Sequence, residues 1–203
     1  NTILEFKRVR KLLEAANSID EVRGYEGLGA QLYFSQLGKN INVNWVRFTS
    51  RNKNPPRDPV NAVLSFLYTV LANRIDSFIS LQGMDSSIGS LHALTYGRKS
   101  LVFDLIEEFR VPIVDTLTCM LFNNGVLNAE DFREENIINK TDSESLIEQN
   151  DVKDNDKMVL LNEGGLKKVL VQFEKKLQVE HMYQIQDKLL SYDKIICSPC
   201  IRG

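Results

Sequence analysis

The chain has 203 residues, a formal net charge of -2 and 43% apolar residues. That length allows one large domain or two small ones, and that apolar fraction builds an ordinary core. The near-neutral charge excludes a polycation, so any grip on nucleic acid must rest on local basic patches. There is no run of about 18 uninterrupted apolar residues and no basic start followed by an apolar signal segment, so the sequence predicts no membrane span and no secretory leader.

The elements then follow in chain order. Ile3 to Ala16 has apolar residues at helical spacing, with Lys7, Arg8, Arg10 and Lys11 between them. Ser18, with Glu21 three positions on, reads as a capping box for a helix from about Ile19 to Leu37. Gly24, Gly27 and Gly29 weaken that helix, each by roughly 1 kcal/mol against Ala. Lys39 to Arg57 reads as a loop rich in Asn and Pro that carries Arg47, Arg51, Lys53 and Arg57. Asp58 caps the next helix and Pro59 takes its first turn. That helix runs to about Leu81, stops at Gly83, and is apolar nearly all round, as a central buried helix is.

Gly83 to Lys99 reads as a turn-rich connection. Ser100 is expected to cap a helix from Leu101 to about Phe122, kinked or restarted at Pro112. Residues 130–157 are polar and charged and read as a solvated connector. Two further helices are expected, Leu166 to Leu177 and His181 to Ser191. No alternating pattern is long enough to predict a sheet. The fold class is therefore all-α, one multi-helix domain over 1–203.

Three cysteines, Cys119, Cys197 and Cys200, with no secretory signal fit a reducing cytosol. Cys197-Ser-Pro-Cys200 is a single C-x-x-C. A structural zinc site needs four ligands, and no second pair follows.

Three places carry chemistry. Glu26 sits between two helical glycines. His92 follows Gly89-Ser90-Leu91. Asp104 and Glu107, three apart, share a helix face beside Leu105, Ile106 and Phe109. Two carboxylates and an imidazole can hold a divalent cation. On their own these residues are weak indicators. Carboxylates at this spacing are more often a solvated face or partners of Arg and Lys, and a lone His is more often structural.

Four segments in order resemble the CRISPR-associated integrase family, Cas protein number one. They are Arg23-Gly-Tyr-Glu26-Gly27 with Tyr33-Phe34; Pro55-Pro56-Arg57-Asp58-Pro59-Val60-Asn61-Ala62 with Leu64 and Tyr68; Gly83-Met84-Asp85 and Ile88-Gly89 leading to His92; and Gly97-Arg98-Lys99-Ser100-Leu101 with Asp104 to Arg110. The likeness runs from about Arg8 to Leu177. It implies a divalent metal, Mg2+ or Mn2+, held by Glu26, His92 and Glu107, with Asp104 near it. It implies a prokaryotic cytoplasmic endonuclease and integrase of CRISPR adaptation, which inserts short DNA segments into a CRISPR array by transesterification. The partners it implies are double-stranded DNA, a second copy of the full-length protein, and the small adaptation protein, Cas protein number two. The family's N-terminal β-rich domain is expected to be absent from these 203 residues. Phosphate contacts are expected from Arg47, Arg51, Lys53, Arg57, Arg98 and Lys99, whose alternative reading is a solvated loop surface. The alternative function is a helical module of the same complex that binds DNA or a partner without catalysis.

Overall fold

The computed structural model describes residues 2–89, 99–137, 157–183 and 188–191. Six α-helices, one π-helical turn and two strand pairs are found among them: α1 Thr2–Glu14, α2 Ile19–Lys39, α3 Pro59–Leu81, α4 Ser100–Phe109, the π turn Arg110–Asp115, α5 Thr116–Asn123, β1 Phe132–Asn136, β2 Lys157–Leu161, α6 Glu163–Gln178, β3 Glu180–Tyr183 and β4 Lys188–Ser191.

The helix starts follow their local chemistry. Ser18 Oγ accepts from Glu21 N at 3.2 Å, while the Glu21 carboxylate accepts from Asn17 N at 2.9 Å. That is the expected box, closed one residue early. Asp58 accepts from Asn61 N at 2.9 Å, Pro59 begins α3, and Gly83 takes a φ of 71° just past its end, where a side chain would be strained. At α4 the expectation needs correction. Ser100 is the first helical residue and is fully buried; Lys99 holds the cap position.

α3 is the central element. Val63, Leu64, Leu67, Leu71, Ile75 and Ile79 are essentially inaccessible and pack with Val102 and Ile106 of α4, Ile113 and Val114 of the π turn, Leu117 and Leu121 of α5, and Val169, Phe173 and Leu177 of α6. By length and composition α3 is apolar enough to cross a membrane. Its buried residues, packed on four neighbouring elements, make it the core helix of a bundle instead. α1 has no buried residue and lies on α2, where Gly29 approaches Val9.

The interruption expected at Pro112 in the helix from Leu101 to Phe122 is present, and it divides the run into α4, the π turn and α5. Pro112 has no N–H to give, and the backbone responds with a π turn that re-aims the chain without ending the helical path. Asp115, the last residue of that turn and the one acidic group in an otherwise apolar run, is only 2% exposed.

The prediction of no strands is also corrected. β1 pairs antiparallel with β2, Phe132 opposite Leu161, so the connector read at 130–157 contains a strand and ends on the first residue of another. The expected helix from His181 to Ser191 is instead β3 and β4, paired antiparallel with Glu180 opposite Ser191. Short runs fit helix and strand patterns alike, and pairing across a long connection is not visible locally. The domain is mostly helical, with these two strand pairs as minor additions.

The Lys39–Arg57 loop is tied down. Asn123 bonds the backbone of Asn40 and Asn42, Trp45 packs on Phe122 and Phe132, and Pro56 O accepts from Val159 N at 2.9 Å. Asn61, fully buried, accepts from Asn52 N and donates to Ser50 O and to Asp58, which folds the loop onto the start of α3.

Candidate active site

Glu26 and Glu107 line one cavity of about 210 Å3, together with Ala30, Tyr33, Phe34, Arg110, Val111 and Asp115. Glu26, Ala30 and Tyr33 recur at intervals of four and three along α2, so they share its inner face. Glu107 comes from the last turn of α4. Both carboxylates are solvent-accessible, and the Glu107 side chain is 48% exposed.

Arg110 Nη1 donates to both oxygens of Glu107, at 2.9 and 2.8 Å. Its guanidinium carbon also lies 5.2 Å from the centroid of the Tyr68 ring. Burial works to lower the Arg110 pKa, but Tyr68 and the Glu107 carboxylate outweigh it and hold the guanidinium charged.

Asp115 forms the inner wall. It accepts from Tyr33 OH at 2.7 Å through Oδ2, and from Tyr68 OH through Oδ1. Burial pushes its carboxyl up from the usual aspartate value, against the hydrogen bonds of Tyr68 and Tyr33 and the charges of Arg110 and Arg51. The two phenols are driven far above their ordinary range, first by burial and then by the carboxylate they bond. Both therefore stay protonated donors.

A second cavity of about 410 Å3 shares the Glu107–Arg110 wall. It is lined by Arg51, Lys53, Ser65, Tyr68, Asn73 and Phe103 among others. Arg51 is set 5.6 Å from the Tyr68 centroid and donates to Asn61 Oδ1 at 2.8 Å and Ser65 Oγ at 3.0 Å. Its Nε is buried with no hydrogen-bond partner among the described residues, and burial lowers its pKa. Arg51 thus holds the loop to α3 as well as charging the pocket.

The remaining sequence candidates are dispersed. Arg47, Lys53 and Arg57 are exposed on the loop. Lys99 bonds Asp76 of α3 at 2.7 Å, and that bond lowers the Asp76 pKa. Asp104 lines neither cavity. It lies against Gly89, where an added Cβ would sit 2.8 Å from Asp104 Oδ2 and 2.7 Å from Ser100. Glu107 lines both of these cavities, and Asp104, three residues earlier on α4, meets the chain that leads toward His92. His92 and Arg98 lie outside the described residues.

Among the described residues no group of three metal-ligating side chains converges. Three carboxylates line one cavity: Asp115 is committed to Tyr33 and Tyr68, which leaves Glu26 and Glu107 as the pair open to a cation. Oxygen donors of this kind suit a hard divalent cation, and about 210 Å3 is room for one that keeps several waters, at roughly 30 Å3 each. The residues present fit such an ion, with Arg110 as a competing cation at Glu107.

The sequence marks Tyr33 only as part of the resembling segment that carries Glu26, and gives Asp115 no role. The available signal was an aspartate inside Val111-Pro-Ile-Val-Asp115-Thr-Leu117, a polar group that an apolar helix must either expose or satisfy.

A family model described as "CRISPR associated protein Cas1" matches residues 1–144. A CRISPR-associated endonuclease Cas1 of Thermus thermophilus is 42% identical over 123 residues, which is 60% of this chain and 37% of that protein. A casposase bound to integration product superposes with a TM-score of 0.73 at 24% identity, covering 94% of this chain and 50% of the other. A partial Cas6-RT-Cas1–Cas2 complex gives a TM-score of 0.76 at 20% identity, over 97% and 52%. At those identities the structural matches speak for the fold alone. The chain spans well under half the length of that curated relative and about half of each solved chain.

Proposed function

Because the chain belongs to the CRISPR-associated Cas1 family, we propose that it carries the catalytic site of a DNA integrase and endonuclease of CRISPR adaptation. The observation that supports this reading most directly is the convergence of Glu26 and Glu107, remote in sequence, on one cavity walled by Arg110. The relatives' names add to it: an endonuclease, and a casposase bound to integration product.

In the proposed reaction a 3′-hydroxyl of the incoming DNA attacks the phosphorus of a phosphodiester at the edge of a repeat. One P–O bond forms and the bond to the leaving 3′-oxygen breaks. The attacking hydroxyl gives up its proton and the leaving oxygen takes one, so phosphodiester bonds are exchanged with no redox change. With water as the attacking group the same site nicks DNA.

Glu26, Glu107 and His92 would hold the divalent ion, magnesium or manganese. When bound, it supplies Lewis acidity to the phosphodiester and offsets charge on the leaving oxygen. The chain's own groups do the rest. Arg110, charged and held over Tyr68, faces both cavities and would meet a phosphate oxygen. Arg51 and Lys53 line the larger cavity and would hold the adjoining strand through its phosphates. Arg47 and Arg57 on the exposed loop, with Arg98 and Lys99, would extend that grip along a duplex. The small adaptation partner present in the solved Cas1–Cas2 assembly is the proposed protein partner.

The test is strand transfer. Labelled duplex DNA with free 3′-hydroxyl ends is incubated with a repeat-bearing plasmid, the adaptation partner and Mn2+. Wild type should join label to plasmid. Glu107→Ala and His92→Ala should not, while their helical circular dichroism stays near wild type. Turnover in either variant removes that residue from the site, and turnover in chelator with no metal restored overturns the metal-dependent reaction.

A further inference from the structure

The two halves of α2 are held differently. Its buried residues, Phe34 and Leu37, both follow Tyr33. The half that carries Glu26 is exposed or half-buried and packs on α1, which has no buried residue of its own. Apolar packing therefore restrains the Glu26 half weakly, and a helix end with few buried contacts moves easily.

At the boundary between the halves stands Tyr33. Its hydroxyl donates at 2.7 Å to Asp115, a carboxylate 2% exposed in the π turn that continues from the Glu107-bearing helix. Tyr33 lies two helical turns beyond Glu26 on the same face, and Ala30 stands between them; all three line the cavity with Glu107 and Asp115. One partly buried hydrogen bond thus ties the helix bearing one carboxylate to the segment bearing the other. Charge-assisted bonds of this kind are shorter and stronger than neutral ones.

We infer that Asp115 is a positioning residue: through Tyr33 it fixes how far Glu26 stands from Glu107. This rests on reading the two carboxylates as cation ligands. Asp115 touches neither the ion nor DNA in this role. Its second partner, Tyr68, supplies an internal control. Tyr68 belongs to α3, which is held by buried residues from Val60 to Ile79. Removing the Tyr68 hydroxyl deprives Asp115 of one hydrogen bond, as removing that of Tyr33 does, but α3 has no freedom to move.

The experiment compares Tyr33→Phe with Tyr68→Phe in the 203-residue chain with Cys119, Cys197 and Cys200 replaced by Ala. Spin labels are placed at Val22 on α2 and Val171 on α6, both exposed and neither lining a cavity. Pulsed dipolar spectroscopy should show a broader label-to-label distance distribution in Tyr33→Phe and a wild-type one in Tyr68→Phe. Mn2+ affinity, read from the free-ion signal without DNA, should fall roughly tenfold in Tyr33→Phe, the scale of losing an outer partner of a metal ligand, and less in Tyr68→Phe. Equal losses in the two variants would mark a merely structural role and overturn the inference. So would an unchanged distance distribution in Tyr33→Phe, or a broadened one with wild-type Mn2+ affinity. If wild type binds no Mn2+, the cation-site reading fails and takes with it the inferred consequence for Glu26 and Glu107, while the label distances still report whether Asp115 anchors α2.

Discussion

Arg110 donates through one nitrogen to both carboxylate oxygens of Glu107, three residues before it, at 2.8 and 2.9 Å. On a surface such a pair is worth under ~1 kcal/mol. Its importance here is positional, because Glu107 meets the cavity shared with Glu26 and Arg110 faces that cavity and the larger one.

That arrangement sets two opposing effects in Arg110→Ala. Removing a positive charge beside a ligand carboxylate favours a cation, so Mn2+ affinity without DNA should rise by several-fold. Strand transfer should fall by roughly two orders of magnitude, the scale of losing a charged donor to a reacting phosphate. Titration of free Mn2+ and a strand-transfer time course read the two separately. Weaker Mn2+ binding would mean Arg110 supports the ligand rather than competing with the ion.

Arg51→Lys should destabilise the domain by about 2 kcal/mol, despite the conserved charge. A guanidinium donates in a fork to Asn61 and Ser65, and an ammonium cannot reproduce that geometry. Urea denaturation measures the difference, and a midpoint unchanged from wild type would remove Arg51 from the structural account.

Asp115 makes stability depend on pH in a direction opposite to most aspartates. Burial, the largest influence, raises its folded pKa above 3.8. The folded state then binds more protons than the unfolded one between the two values, so this contribution falls as pH rises through that window. Asp115→Asn lacks it. The stability of wild type minus that of the variant should decline as pH rises from about 4. A difference that grows with pH would show that the tyrosine hydrogen bonds and the guanidiniums outweigh burial.

Gly89→Ala should be damaging although no unusual backbone conformation is involved. The new Cβ would stand 2.7 Å from the Ser100 carbonyl carbon, which is backbone and cannot rotate away, and 2.8 Å from Asp104. Overpacking of this kind costs about 1–3 kcal/mol. Gly27→Ala is the comparison, because a Cβ there meets nothing within 4 Å and Ala favours helix. Thermal melts should separate them, and equal melting temperatures would refute the close packing of Gly89 on α4.

The sequence by itself determined where α2 and α3 begin, where α3 ends, and which helix is central. Ser18, Asp58-Pro59 and Gly83 act within one turn of where they stand, and the all-round apolarity of residues 59–81 leaves a helix no option but the core. It also marked Glu26 and Glu107, through residue patterns that resemble a family. The tertiary structure alone decided what those residues meet. Asp104 and Glu107 share a helix face in sequence, and of the two it is Glu107 that lines the two cavities between the described residues. Arg51 reads as a loop cation and is half committed to Asn61 and Ser65. The strands from Glu180 to Ser191 satisfy each other's backbone by pairing, which no local pattern announces. Asp115 is the clearest case. Its partners Tyr33 and Tyr68 lie 82 and 47 residues away, and it sits at the end of the π turn that contains Pro112. Caps and periodicity are local chemistry and can be read along the chain. The pairing of a buried carboxylate with two distant, half-buried hydroxyls exists only once packing has brought all three together.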